Sequence, residues 1–334
     1  MKQQVNRRQF AVGSFAACAA GALTFGVSRS ARSQAARSIA RILIGVPAGG
    51  APDAVARLLA DQMKSYASAT IVEIRSGAGY RLALEAAKNS PADGSVMILA
   101  PAGPLTLYPH IYKSLNYDPQ RDFAPVSTVF STPSMLAIGP MVPSEVKTLA
   151  DFVAWCRANP KRSTFGTPGA GSPMHLLGIT LARTARIELV HVPYQGAPPA
   201  VQNLLSGQIA VAISPIGNFV PYLKTGDLRA LATTGPQRSS VLPDVPTVAE
   251  AGYPALQFAE WFGILLPRKT PNETVNSLNA VILEALKTQS VMTGLANLSM
   301  DIGGNSPAEF AEQINIDTQR WATIVKASGF APLG

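Results

Sequence analysis

The sequence predicts an α/β protein with two lobes. Short apolar segments alternate with longer segments whose apolar residues recur at helical spacing, a pattern typical of βαβ units with a parallel sheet covered by helices on both sides. Without an N-terminal leader about 300 residues remain, which exceeds the comfortable size of a single hydrophobic core. Two glycine-rich loops, far apart in the chain, each separate a predicted strand from a predicted helix. These observations favour one such loop in each of two lobes.

The first part of the chain after the leader predicts three strands with helices between them. Val55, Leu58, Leu59 and Met63 recur at the spacing of one helix face. The predicted elements are, in order, strand 41–46, helix 53–66, strand 71–74, helix 82–88 and strand 96–99.

The pattern then repeats. A helix over residues 144–158 is expected to begin at Ser144, which Glu145 follows, and to end before Asn159-Pro160. The segment 235–253 is rich in proline and serine and predicts an extended connection. The remaining predicted elements are strands 135–138, 163–166, 188–192, 209–213, 228–233 and 262–266, and helices 199–205, 271–288, 290–298 and 307–328.

The N-terminal 35 residues differ from the rest of the chain. Lys2, Arg7 and Arg8 form a basic start, an apolar run of small residues covers 10–27, and Ser33-Gln34-Ala35 has the form of a signal-peptidase site. The run is too short for a good membrane span, which needs roughly 20 apolar residues. The pattern therefore predicts an export signal over residues 1–35 and a periplasmic mature protein that begins near Ala36.

The export route has two interpretations. Arg7-Arg8-Gln9-Phe10 before the apolar run resembles a twin-arginine signal, and an ordinary Sec signal with two adjacent arginines is the alternative. Phe15-Ala16-Ala17-Cys18 also faintly resembles a lipoprotein acylation site. Cys156 is then the single thiol of the mature chain, which excludes an internal disulfide. Beside Trp155 in a helical segment, it is interpreted as a buried apolar residue.

Charge does not indicate nucleic-acid binding. The formal net charge of the chain is +8, but residues 1–35 carry five basic and no acidic side chains, so the mature charge falls to +3. The rest of the sequence has no cluster of lysine and arginine with interleaved aromatic residues. Nucleic acid is therefore not an expected partner.

Most enzyme and metal motifs are absent from the sequence. His110, His175 and His191 are the three histidines, and none has a partner at metal-ligand spacing. There is no C-x-x-C, H-E-x-x-H, G-x-S-x-G or phosphate-binding loop, and Leu82 occupies the third glycine position of a dinucleotide-type loop. A binding protein without metal or cofactor is therefore expected, rather than an enzyme.

The two glycine-rich loops are the candidate binding elements. Pro47-Ala48-Gly49-Gly50-Ala51-Pro52-Asp53 follows the first strand, and Gly166-Thr167-Pro168-Gly169-Ala170-Gly171-Ser172-Pro173 follows a later one. Pro52 and Pro173 suit first helical positions, with Ser172 as a cap. Free N–H groups and the positive dipole end at a helix start attract an anion. Each loop alone fits an ordinary βα connection, but two loops at the carboxyl ends of strands predict a shared carboxylate site between the lobes.

The chain also resembles the Bug-type extracytoplasmic solute receptors of tripartite tricarboxylate transport systems. The similarity spans the mature chain, and no single motif carries it. The segments that carry it are Ala48-Gly49-Gly50 with Asp53, Ala56 and Arg57; Gly166 through Leu176; His191 through Gly196; Pro199-Ala200; Leu204 through Gln208; 228–233; Leu242 through Thr247; Glu250-Ala251-Gly252; and Trp261-Phe262-Gly263 with Pro267.

The resemblance implies a type II periplasmic-binding-protein fold whose chain crosses twice between the lobes. Residues 36–133 and 256–334 are assigned to the first lobe and 134–255 to the second. The ligand is expected to be a small carboxylate, and the partners the membrane subunits of a transporter, with the receptor a monomer. The residues to which the resemblance and its departures assign ligand contacts are Ala48, Gly49, Gly50, Asp53, Tyr80, Thr167, Gly169, Gly171 and Ser172.

Tyr80 departs from the family pattern. Family members commonly have glycine where this chain has Tyr80, close to the expected cleft. The ring is expected to narrow the pocket or stack on an aromatic ligand, and a solvent-facing tyrosine is the alternative.

Basic residues are expected to contribute little to ligand binding. Neither loop contains an arginine. Arg57 is expected to point away along its helix, while Arg75 and Arg81 have a plausible approach to the cleft.

Two other functions remain open at this point. The same fold serves equally well as a ligand-presenting sensor for a membrane histidine kinase, since the two roles differ only on an outer surface. A periplasmic enzyme is disfavoured because no nucleophile–base–orienter set is present.

Overall fold

The computed structural model describes residues 37–333. The predicted export segment 1–35, with Cys18 and the predicted cleavage site, lies outside the described residues, so these expectations stay predictions. Within residues 37–333, no helix is long and apolar enough to cross a membrane.

The described residues form ten strands and eleven α-helices. The strands are β1 Arg37–Ile44, β2 Ala67–Ile74, β3 Val96–Pro101, β4 Phe123–Ile138, β5 Thr164–Thr167, β6 Val190–Pro193, β7 Val211–Pro215, β8 Arg229–Thr233, β9 Ala259–Pro267 and β10 Asp301–Ile302. The helices are α1 Ala51–Gln62, α2 Arg81–Lys88, α3 Tyr108–Ile111, α4 Pro119–Asp122, α5 Leu149–Ala158, α6 Pro173–Ala185, α7 Ala197–Leu205, α8 Val220–Lys224, α9 Asn272–Leu286, α10 Gln289–Asn297 and α11 Pro307–Ser328.

The strands pair in the order β2-β1-β3-β9-β4-β7-β5-β6, and β8 and β10 also pair with β4. The prediction of a parallel sheet is wrong for the middle of this order. β1 pairs parallel with β2 and β3, and β5 pairs parallel with β6 and β7. β9, however, is antiparallel to both β3 and β4. The reason is that β4 and β9 carry the chain in opposite directions between the two groups of parallel strands.

β4 belongs to both groups. From Phe123 to Pro133 it pairs with β9, and from Ser134 to Ile138 it pairs with β7. We call β1, β2, β3, β9, β10 and residues 123–133 the first section. The second section comprises β5 to β8 and residues 134–138.

Three buried segments meet where the sections join. Thr234 Oγ1 accepts a hydrogen bond from Ser134 N at 2.9 Å and donates one to Phe258 O at 2.5 Å. Phe258 N in turn donates to Thr234 O. The strand that leaves the first section and the segment that returns to it are therefore tied together by one threonine.

Most predicted elements are present, but one helix begins later than predicted, and several elements, among them α4, α8 and β10, were not predicted. The helix expected to begin at Ser144 begins at Leu149, because Thr148 and Asp151 form a reciprocal capping box. Residues 123–133 of β4 were not predicted as a strand, and neither was the helical segment 103–111. The segment 235–253 contains no helix or strand, as predicted.

Candidate functional site

The first glycine-rich loop connects β1 to the start of α1. Gly49 has φ +82, while Gly50 is the extended N-cap residue and Pro52 lies in the first turn. Ala54 N is the first amide to bond back to the helix start, at 3.1 Å from Gly50 O. The amides of the first turn before it have no intrahelical partner, so this end of α1 presents free donors and a positive dipole.

Asp53 stabilises the conformation of this loop. Its side chain is buried, and Oδ2 accepts the Gly49 N–H at 2.8 Å. Arg57 Nε lies 2.9 Å from Asp53 Oδ1. The expectation that Arg57 points away along the helix is therefore wrong: its guanidinium turns back toward the helix start. The Gly49 amide is occupied by a residue of the protein, and Asp53 is placed to shape the loop.

The start of α1 borders a cavity of about 500 Å³. Ala51 and Pro52 face residues of the second section across it, and none of its described lining residues carries a charge. The other lining residues are Thr132, Pro215, Gly217, Asn218, Val220, Pro221, Phe262, Asn297, Leu298, Ser299 and Met300. A larger surface cavity of about 720 Å³ contains no residue of either loop. The smaller cavity is the candidate site because Ala51 and Pro52 of the first loop border it, although the predicted contact residues Ala48, Gly49, Gly50 and Asp53 do not line it.

Sequence reasoning missed the polar residues of this cavity. Asn218 lies three residues beyond the end of β7, and a position just beyond the carboxyl end of a strand is a signal that was available in the sequence. Its amide nitrogen donates to Ser214 Oγ at 3.1 Å. Ser299 and Thr132 carry no such signal, because only the tertiary packing brings them to the cavity.

Tyr80 is buried against Phe262, which lines this cavity, but Tyr80 itself does not line it. The backbone has positive φ at Ala78, Gly79 and Tyr80 in succession, and it places the Tyr80 ring directly over Gly45. The ring also meets Phe262 edge-on, with centroids 6.3 Å apart. Tyr80 is 5% exposed, so the solvent-facing alternative is wrong.

The phenol oxygen of Tyr80 lacks a hydrogen-bond partner of good geometry among the described residues. Burial raises its pKa. The backbone of Gly45 lies near enough to oppose that shift in pKa, yet the phenol oxygen makes no hydrogen bond of good geometry to another described residue. A buried polar group without a partner is costly and is often found at functional sites.

The arginines near the first loop are engaged elsewhere. Arg75 Nη2 lies 2.6 Å from Glu73 Oε1, and Arg81 Nε donates to Ala78 O at 3.0 Å. The Arg81 guanidinium also lies over the Tyr112 ring, 4.4 Å from its centroid. These contacts support a site in which backbone amides, rather than a guanidinium, face the ligand.

The second glycine-rich loop ends in the predicted cap. Ser172 is the N-cap of α6, with Pro173 in the first turn, and its Oγ accepts the His175 N–H at 3.2 Å. A side chain added at Gly169 would meet nothing within 4 Å, whereas one at Gly171 would meet Leu333 at 3.2 Å. None of the predicted residues of this loop lines the 500 Å³ cavity.

Two histidines fix the shape of this second loop. The rings of His175 and His191 stack with centroids 3.6 Å apart. Gly171 N donates to His175 Nδ1 at 3.1 Å, and Thr167 Oγ1 lies 2.7 Å from His191 Nε2. Burial lowers the pKa of both, and the neighbouring His175 helps to lower the pKa of His191 to about 4. Both histidines are therefore neutral at pH 7. Thr167, through its contact with His191, helps to hold the second loop in place.

Metal binding and nucleophilic catalysis by cysteine find little support in residues 37–333. No group of three or more His, Cys, Asp or Glu side chains is placed to hold a metal ion there. Cys156 is fully buried, and burial raises its pKa to about 11. A thiol of that pKa is protonated at neutral pH and is a poor nucleophile.

A family model described as "Tripartite tricarboxylate transporter family receptor" matches residues 55–330. The chain is 32% identical to the protein BugT of Bordetella pertussis over 302 residues, which cover 90% of this chain and 92% of BugT.

Solved structures show the same fold. A Rhodopseudomonas palustris protein crystallised with adipate matches with a TM-score of 0.77 at 30% identity, over 89% of this chain and 99% of that one. MatC of the same organism, with bound malate, matches with a TM-score of 0.72 at 29% identity, over 86% and 99%. The predicted type of fold, that of a periplasmic binding protein, is confirmed.

Proposed function

Because the chain belongs to the tripartite tricarboxylate transporter family of receptors, we propose that it captures a small carboxylate and delivers it to the membrane subunits of a transporter. The observation that carries this proposal is the start of α1, whose free amides border an uncharged cavity of about 500 Å³. Amide donors at a helix start suit an anion. The relatives crystallised with adipate and malate support the same ligand class.

The proposed binding step is closure of two lobes. The change of β4 partner between Pro133 and Ser134, and the bonds of Thr234 to both connections, support a hinge at this point. A ligand shifts such an equilibrium only through contacts that differ between open and closed forms. A carboxylate held between α1 and the turn after β7 gains contacts from both sections only when they approach each other.

In the proposed complex, the residues predicted from the sequence have different roles. Free amides of the first loop receive the carboxylate, and Asp53 and Arg57 keep that loop in shape. The turn after β7 lies on the other side of the cavity. The second loop, whose predicted residues do not line the cavity in this conformation, is proposed to reach the ligand only when the lobes close. The cellular setting is the periplasm, reached through cleavage of residues 1–35, with a monomeric receptor and no catalytic step.

Calorimetry with an acid and its primary amide tests the ligand class. We expect the acid to bind at least about 100-fold more tightly, because charge-assisted hydrogen bonds are roughly twice as strong as neutral ones and an amide nitrogen cannot accept the loop N–H groups. Adipate and adipamide form a suitable pair, since a relative binds adipate. Equal affinities would contradict the anion site, and turnover of the acid would replace binding by catalysis.

Tyr80→Phe tests whether the phenol meets the ligand. The phenol has no satisfied bond, so its removal should leave the free energy of unfolding unchanged or raise it by up to about 1 kcal/mol. Affinity for the acid should fall about two- to tenfold, the equivalent of one neutral hydrogen bond. Urea unfolding measures the first effect and calorimetry the second. Unchanged affinity would remove Tyr80 from the proposed contacts.

A further inference from the structure

Glu260 is an acidic residue on the cavity face of β9. Successive strand residues point to opposite faces, so Glu260 and Phe262 share a face. Thr132 pairs with Glu260 across the ladder and therefore shares that face as well. Because Thr132 and Phe262 both line the 500 Å³ cavity, the Glu260 side chain leaves the strand on the side where the cavity lies.

The carboxyl group of Glu260 lies beside Gly103, which in turn faces the start of α6. Gly103 N donates to its Oε1 at 2.9 Å. A Cβ at Gly103 would stand 3.5 Å from that oxygen and 3.6 Å from Pro173 Cγ, at the start of α6. Oε2 makes no hydrogen bond to another described residue. One oxygen is therefore held by the protein, and the other has no hydrogen-bond partner among the described residues. Glu260 is not itself one of the residues that line the 500 Å³ cavity in this conformation.

The surroundings of Glu260 disfavour its charged form. The side chain is buried, and burial together with the negative charge of Asp317 raises its pKa, while the Gly103 N–H opposes this; the resulting pKa is about 7. The other titratable groups that face it are the phenols of Tyr80 and Tyr108. No basic side chain lines the described part of the cavity. A second negative charge from a ligand would therefore meet no cation among the described residues that line the cavity.

We propose that protonated Glu260 donates a hydrogen bond through Oε2 to the second carboxylate of a dicarboxylate ligand whose first carboxylate lies at the start of α1. This rests on the proposed function and specifies its substrate class. The proton on Glu260 would lie between the Glu260 carboxyl group and the second carboxylate of the ligand. These two groups cannot both be charged at close range. Binding a dicarboxylate at neutral pH therefore takes up a proton, whereas binding a monocarboxylate does not.

The test compares acids of matched carbon number across pH. Dicarboxylates from succinate to adipate and monocarboxylates from butanoate to hexanoate are titrated calorimetrically into the exported protein between pH 6 and pH 9. With a pKa of about 7, the protonated fraction is roughly 1% at pH 9, so the affinity for the best dicarboxylate should fall about 100-fold. Affinity for monocarboxylates should stay constant. At pH 7.5, buffers of different ionisation enthalpy should report net proton uptake for the dicarboxylate.

Glu260→Gln provides the matched variant. Glutamine keeps an acceptor for Gly103 N and offers a permanent neutral donor, so dicarboxylate binding should persist and lose its pH dependence. A pH-independent wild type, proton release on binding, or an unchanged pH profile in the variant overturns the inference. Binding of monocarboxylates alone overturns it while the proposed function stands. If no acid binds at any pH, the proposed function fails as well.

Discussion

Gly49→Ala should weaken carboxylate binding at least about tenfold, equivalent to 1.4 kcal/mol. Gly49 has φ +82, and an L-residue held in this region costs roughly 1–2 kcal/mol. The added methyl group would meet no protein atom within 4 Å, so the cost arises from the backbone and not from a clash. Relaxation to negative φ would withdraw the Gly49 N–H from Asp53 and turn the neighbouring amides away from the cavity.

Gly50→Ala is the control for this effect. Gly50 has φ −72 and ψ 161, an extended conformation that any residue adopts, and a Cβ there would make only ordinary contacts. Its free energy of unfolding in urea should change by less than about 0.5 kcal/mol, because the poorer N-cap is offset by the lower entropy of the unfolded chain, whereas Gly49→Ala should lose about 1–2 kcal/mol. Arg81→Ala should leave affinity nearly unchanged, since its guanidinium lies over Tyr112. A large loss of binding in Arg81→Ala, with Gly49→Ala normal, would place the carboxylate on a side-chain cation.

The parts of the site that sequence predicts well depend on local chemistry. Ser172 and Pro173 mark the start of α6 because a capping hydroxyl and a fixed φ act within one turn. The first loop was predictable for the same reason. Both loops follow strands, and their glycines are visible without any tertiary information.

The parts that sequence does not predict depend on distant packing. β4 contains Pro125 and Pro133, which interrupt the strand pattern, and only its pairing with β9 makes it a strand of 16 residues. The position of Tyr80 follows from the absence of a side chain at Gly45, 35 residues earlier in the chain. Glu260 stands beside Trp261-Phe262-Gly263 without any motif of its own, and its raised pKa results from burial that no local pattern reports.

Thr234→Val should lower the free energy of unfolding by about 2–4 kcal/mol. The substitution keeps the shape of the side chain and removes the hydroxyl that accepts from Ser134 N and donates to Phe258 O. Ser134 N and Phe258 O would each lose a hydrogen bond while staying buried. Each unsatisfied buried group costs about 1–3 kcal/mol. The two connections between the sections would also lose their common tie, so closure around a ligand should be weaker as well.

Thr233→Val separates this effect from the general cost of changing a buried threonine. Thr233 is also fully buried, but its Oγ1 makes no hydrogen bond to another described residue. Removing that hydroxyl should leave the free energy of unfolding unchanged or raise it slightly, because no partner is orphaned. The urea midpoints of both variants, compared at equal m-value, measure the difference. Equal destabilisation of the two would show that the Thr234 hydroxyl does not hold the connections together. A loss confined to Thr234→Val, accompanied by a smaller rise in melting temperature on adding adipate, would link the tie to ligand-induced closure.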